Sequence, residues 1–304
     1  MAKTRSARTS RARAAEFVVR SLMSAAGWIA ILILAAIAVF LFVNARLALT
    51  DPSVGIVRML TGRSWYSTAT PPEFGFLPYI VATLRVTAVA LGIAVPVGIA
   101  SAVFISEFAG RRVKEVGKSV IEFMAAVPSV VYGLMGVYVV GPAIKDALHL
   151  SSGLSALSAG VVLAFMAIPT IVSISEDAMH AVPNDLRMGS LALGNTRWQT
   201  ACKVIVPAAG SGIFASVMLG MGRAIGETMV VLMVAGGTMD LTASLTAGAR
   251  PLTAVIASEM GEVVQGGLHY SVLFVIGLTL FAITFVVNLA ADLVLERQRK
   301  RWRR

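Results

Sequence analysis

SGIFASVMLGMGRAIGETMVVLMVAGG (211–237) holds two ionisable residues, Arg223 and Glu227, in an otherwise uncharged stretch. About 20 apolar residues suffice to cross a bilayer, so the segment reads as a membrane span. An arginine or glutamate at membrane depth costs at least about 3 kcal/mol on the insertion scale. Such residues face a bundle interior or a solute pathway. At i and i+4 on a continuous helix the two side chains share one face. Arginine before glutamate is the weaker order for helix stabilisation, so helix propensity does not explain the pair.

The whole chain has the same character. Its 304 residues are 57% hydrophobic and 14% charged, where a soluble domain carries about a quarter charged residues. Further apolar segments lie near 21–45, 79–105, 119–143, 154–175 and 271–295, which with 211–237 makes six spans in an all-α membrane protein. Pro128 interrupts the third and Pro169 the fourth. PLTAVIASEMGEVVQGG (251–267) is too short and polar to span and reads as a short helix on the external face.

The net charge of +10 is concentrated beside the apolar helices and does not indicate nucleic acid. Lys3, Arg5, Arg8, Arg11, Arg13 and Arg20 precede the first span; Arg297, Arg299, Lys300, Arg301, Arg303 and Arg304 follow the last. With six spans and an internal N-terminus, nineteen Lys and Arg fall on the internal side and five on the external side. That asymmetry places both termini in the cytoplasm. The resulting plan is a basic N-terminus (1–20), a first helix (21–45), an external loop (46–78), a five-helix core (79–295) and a basic tail (296–304). The first apolar run is longer than a secretory signal segment and reads as a retained helix.

Several chemistries find no support. Cys202 is the only cysteine, and His149, His180 and His269 lack metal-ligand spacing, so no metal or catalytic cluster is expected. GRRVKEVGKS (110–119) places six residues between its glycines, where a phosphate-binding P-loop needs four. Gly222 and Gly226 read as a small-xxx-small helix-packing pair. Glu122 and Asp292 read as interfacial. Arg85, inside the second span, has no assigned role.

The longest internal loop, EDAMHAVPNDLRMGSLALGNTRWQTACKVIVP (176–207), reads as two short helices separated by Gly194 and closed by Pro207. Gly194 followed by nine residues and then Val204-Ile205-Val206-Pro207 resembles the coupling loop of binding-protein-dependent ABC importer permeases. The resemblance implies the type I (MetI-like) fold and docking of the loop on a separate ATPase subunit, through Asp185, Met188, Gly189, Ser190, Gly194 and Pro207. Met188, Gly189 and Ser190 stand where the family usually has Glu-Ala-Ala. LTGRSWYSTATPPEFGFLPYI (60–80), SAVFISEFAGRR (101–112), FMAAVPSVVYGLMG (123–136) and GRAIGETMVVLMVAGG (222–237) are similar to phosphate ABC transporter permeases of the C-type (PstC-like) subunit.

That resemblance implies a non-enzymatic transport subunit with no cofactor of its own, ATP being bound by the partner. The implied partners are a second, A-type permease, an ATPase dimer and an external phosphate-binding protein. Arg223 would contact the oxyanion. Glu227 would either hold Arg223 in the empty pathway or accept a hydrogen bond from protonated phosphate. A buried ion pair that only fixes helix packing is the structural alternative for these two residues. A permease for molybdate or sulfate, or an ATP-independent transporter or channel, is the functional alternative.

Overall fold

The computed structural model describes residues 2–242 and 244–302, with side chains for 16–242, 244–293 and Glu296. Except for Arg20, the two basic terminal clusters lie outside the described side chains.

Helix α1 (Ala2–Thr50) is apolar all round through its middle, and side chains such as Trp28 and Leu32 stay exposed. A helix of this kind faces lipid or other apolar surface. It joins the bundle near its end, where Ala45 and Ala48 are fully buried and Ser271 Oγ donates to the Asn44 carbonyl at 2.7 Å. A short helix α2 (Ile56–Thr61) and a hairpin of β1 (Trp65–Tyr66) with β2 (Glu73–Phe74) follow.

The centre of the molecule is the crossing of α3 (Leu77–Val103) with α7 (Ala156–His180). Ala90, Ala94, Ala159, Ala164 and Ala167 are buried there, at 1% exposure or less. A Cβ on Gly98 would lie 2.8 Å from Ile171 Cγ2, and one on Gly160 would overlap Val89. Between membrane helices, where burial from water gives no driving force, such small residues allow close van der Waals packing. Pro169 sits in α7 without ending it.

The third expected span, 119–143, is not one helix. Helix α4 (Arg111–Ala126) ends where Val127 turns extended ahead of Pro128. A residue preceding proline is driven out of helical geometry, and this produces the break. The membrane-length piece is 129–148, made of α5 (Ser129–Met135), a π-turn at Gly136–Val140 and α6 (Gly141–Leu148). Four of the basic loop residues (111, 112, 114, 118) thus sit on a helix with an exposed apolar stripe of Val113, Val116, Val120 and Phe123.

The region after α7 holds α8 (Asn184–Ala192), α9 (Arg197–Thr200), a π-turn at Ala201–Ile205 and α10 (Val206–Ala208). The segment 197–208 meets α11 (Gly210–Gly226) at 71°. Beyond it lie α12 (Met229–Val234), an irregular stretch, α13 (Leu252–Glu259) and α14 (Leu268–Trp302). Among the described residues five helices are long and apolar enough to cross a membrane, or six if the bent pair counts as one span. The short helix expected within 251–267 is α13.

Candidate functional site

The expected span 211–237 breaks at its charged pair. Helix α11 ends at Gly226, and Glu227 has extended backbone angles of φ −71° and ψ 132°. Arg223 and Glu227 therefore do not share a continuous helical face. The glutamate side chain folds onto the next helix, its Oε1 accepting the backbone N–H groups of Met229 at 3.0 Å and Val230 at 3.4 Å. Those groups are among the unpaired donors at the start of α12, and a carboxylate satisfies them with favourable charge. The local order Gly-Glu-Thr-Met thus ends one helix and starts another.

Arg223 occupies the last turn of α11, where a cation complements the helix dipole. Its Nη1 donates to Thr170 Oγ1 at 3.3 Å, next to Pro169 of α7. Among the described residues it forms no ion pair. The crevice beside Glu227, lined by Thr83, Thr87, Ala224, Val231 and Thr253, is too tight for a water molecule.

The packing row of α11 also differs from expectation. Gly222 and Gly226 face open space, whereas Gly212, Ser216 and Gly220 press against α7. A Cβ on Gly220 would lie 2.9 Å from Ile171, and one on Gly212 would overlap Ala178. Ser216 Oγ lies 2.7 Å from Ser175 Oγ on α7. The small-residue rule applies, but its row is 212, 216 and 220 in place of 222 and 226.

The coupling-loop residues gather in one rigid bracket. Gly194 adopts φ +86°, a left-handed value that ends α8 and that β-carbon-bearing residues rarely take. Thr196 and Gln199 form a reciprocal capping box at the start of α9. Ser190, 6% exposed, bridges the two helices through its hydroxyl, 2.9 Å from Thr200 Oγ1. Asp185, Met188, Gly189, Gly194 and Pro207 remain exposed. Trp198 at 63% and Leu193 at 86% exposure add apolar surface that the sequence reading did not single out.

One ionic fastening fixes the bracket to the bundle, and a second, beside it, ties α4 to α7. Arg187 of α8 pairs with Glu107 at 3.0 Å and donates to the carbonyls of Met179 and Val182 at 2.7 Å. Glu176, buried at 3% exposure near the end of α7, is clasped by Lys114 at 2.8 Å and Lys118 at 2.7 Å from α4. The i,i+4 spacing of the lysines was the available signal; the position of Glu176 inside α7 was not.

Arg85 gains a structural assignment. It is 8% exposed and donates to the carbonyls of Thr242 and of Gly248, the latter at 3.0 Å. The N–H groups of Ala156 and Leu157 at the start of α7 donate to the carbonyls of Ala247 and Leu245. The irregular stretch between α12 and α13 is thus held by its own carbonyls. Backbone without regular structure is tolerated among membrane helices where such internal partners exist. Beside this clamp Asp240 is held below the usual carboxylate range by the N–H and hydroxyl of Thr242.

Among solved structures, the same fold occurs in importers. A bacterial ABC transporter involved in the import of the acidic polysaccharide alginate superposes with a TM-score of 0.62, at 14% identity, over 89% of this chain and 96% of that one. An inward-facing MetNI methionine ABC transporter gives 0.59 at 19% identity, over 73% and 95%. The class is that of ABC importer permeases with the type I, MetI-like fold. The family model for the binding-protein-dependent transport system inner membrane component matches residues 94–303, and the chain belongs to that family.

Two curated relatives extend the match. The probable ABC transporter permease protein YqgH of Bacillus subtilis is 39% identical over 280 residues, 92% of this chain and 91% of the relative. The phosphate transport system permease protein PstC of Mesorhizobium japonicum is 34% identical over 292 residues, 90% and 88% of the two chains. The chain is a PstC-like, multi-pass membrane permease subunit, and ATP hydrolysis resides on a separate subunit.

Proposed function

We propose that this permease carries inorganic phosphate inward across the bacterial cytoplasmic membrane. The observation that carries the reading is Arg223, a partly buried guanidinium at a helix end with no ion pair among the described residues. Its planar donors suit a tetrahedral oxyanion. Glu227 commits Oε1 to α12 and leaves Oε2 to accept a proton-bearing oxygen. Phosphate at neutral pH offers such a proton and sulfate does not. Relatives with the name PstC support the same substrate.

In this reading both termini and the bracket face the cytoplasm, in line with the distribution of Lys and Arg. The hairpin then faces an external phosphate-binding protein. A second permease of the A type completes the pathway, and an ATPase dimer carries the ATP and receives Asp185, Met188, Gly189 and the exposed faces around Gly194 and Pro207. The chain itself binds no cofactor.

The test is ATP-driven uptake by the co-purified complex in proteoliposomes. Arg223→Ala and Glu227→Gln each lower phosphate uptake by roughly a hundredfold, as expected for loss of a charged contact to the ion of about 3 kcal/mol. Undiminished uptake in both variants overturns the pathway roles. Competition by molybdate or sulfate at least equal to that by phosphate overturns the substrate assignment.

A further inference from the structure

The short helix α13 joins two parts of the molecule that the proposed transport cycle must connect. Its first turn is tied to the helix break at Glu227. Thr253 Oγ1 donates to the Glu227 carbonyl at 2.8 Å, and the Leu252 N–H donates to Thr83 Oγ1 on α3 at 3.0 Å. Leu252 and Val255 are fully buried, so this end is enclosed by packing as well as held by hydrogen bonds.

Its last residue, Glu259, sits in an ionic cluster beneath the hairpin. Oε1 pairs with Arg250 at 2.9 Å and Oε2 with His269 Nε2 at 2.8 Å. Arg250 also donates to Ser258 Oγ at 2.7 Å and lies 5.8 Å from the centre of the Tyr79 ring. The His269 ring packs against Trp65 of β1 at 5.8 Å and Phe74 of β2 at 5.6 Å. Glu259 therefore receives contacts from the irregular stretch and from α14, and through His269 from the hairpin.

Helix propensity does not account for this glutamate. A carboxylate at the C-terminal end of a helix opposes the backbone dipole. A partly buried ion cluster is also weak evidence for stability, because desolvation offsets much of its attraction. What the cluster does fix is position. An eight-residue helix is about 12 Å long and rigid on that scale, so its two pinned ends move together.

We infer that Glu259 is a positioning residue for Glu227: through α13 it ties the place of the Glu227 carbonyl, and so the α11–α12 break, to the position of the hairpin. A displacement of the hairpin moves His269 and Glu259, and α13 delivers it to the break. This inference rests on the reading of Glu227 as a pathway residue and of the hairpin as the face that meets the binding protein.

The test uses the complete complex of permeases, ATPase and binding protein in proteoliposomes, with Glu259→Gln, Thr253→Val and the double variant. ATPase activity without binding protein stays at the parental level in all three. Stimulation by binding protein and phosphate uptake both fall roughly tenfold in each single variant, within the usual range of coupling between sites. The double variant falls no further, because both substitutions cut one strut. Losses that multiply in the double variant overturn the inference. So does an equal fall of basal and stimulated activity with a lowered melting temperature, or no change at all. Glu227→Gln is measured in parallel. If it transports normally, the pathway reading fails, while the stimulation measurements still decide whether α13 links the hairpin to the break.

Discussion

Glu176 and Arg85 are buried to a similar extent, 3% and 8% exposed, yet they are satisfied in different ways. Glu176 near the bracket meets two ammonium groups from a neighbouring helix, and their side chains are 29% and 44% exposed. Arg85 meets backbone carbonyls of an irregular segment and forms no ion pair among the described residues. One fastening is an ion clasp whose outer members remain hydrated. The other is a buried arginine that organises backbone. A clasp with two outer members tolerates the loss of one, whereas a single arginine that spans two carbonyls has no reserve.

The largest effect is expected at the single arginine. Arg85→Met removes donors from the Thr242 and Gly248 carbonyls and destabilises the protein by about 4 kcal/mol, at 1–3 kcal/mol for each of the two unsatisfied groups. Denaturation in mild detergent measures this, and proteolysis within 238–250 should accelerate. Arg85→Lys, which has one ammonium in place of a fork, recovers only part of the loss. A stable Arg85→Met protein would sink the difference drawn between the two charges.

The clasp comes next. Lys114→Ala with Lys118→Ala strands the buried Glu176 carboxylate and costs about 3 kcal/mol, while either single change costs about 1 kcal/mol. Glu176→Gln in the double background restores stability, which separates a stranded charge from lost packing. Lys118 has its pKa raised, chiefly by the hydrogen bond to Glu176. Its contribution is therefore complete below the ordinary lysine value of 10.5 and is lost as pH rises through the raised value.

Smaller still is the hydroxyl pair between α7 and α11. Ser216→Ala costs about 1 kcal/mol, the usual value of one interhelical hydrogen bond in a membrane protein. At the surface of the bracket, Trp198→Ala changes stability by no more than about 0.5 kcal/mol. It lowers retention of the ATPase subunit during purification, and normal retention would remove Trp198 from the docking face.

Much of this protein is legible in its sequence because local rules decide it. Apolar runs at least as long as a bilayer give α1, α3, α7 and α14. Gly194 punctuates the bracket, and its backbone preference acts whatever surrounds it. The misplacements fall where two local signals compete. Residues 119–126 are apolar enough to extend a span, but Pro128 detaches them into α4. Residues 227–237 continue an apolar run, but Glu227 finds a better use capping α12 than continuing α11.

Composition alone determined that the chain crosses a membrane several times, since partition into lipid depends on the sum of side-chain transfer energies. Only the tertiary structure decided which small residues of α11 touch α7 and that Arg85 grips a loop more than 150 positions away in the sequence. It also decided that Arg223 and Glu227, four residues apart, turn to different partners. Those outcomes depend on which surfaces meet across the bundle, and side-chain spacing along a single helix carries no record of that.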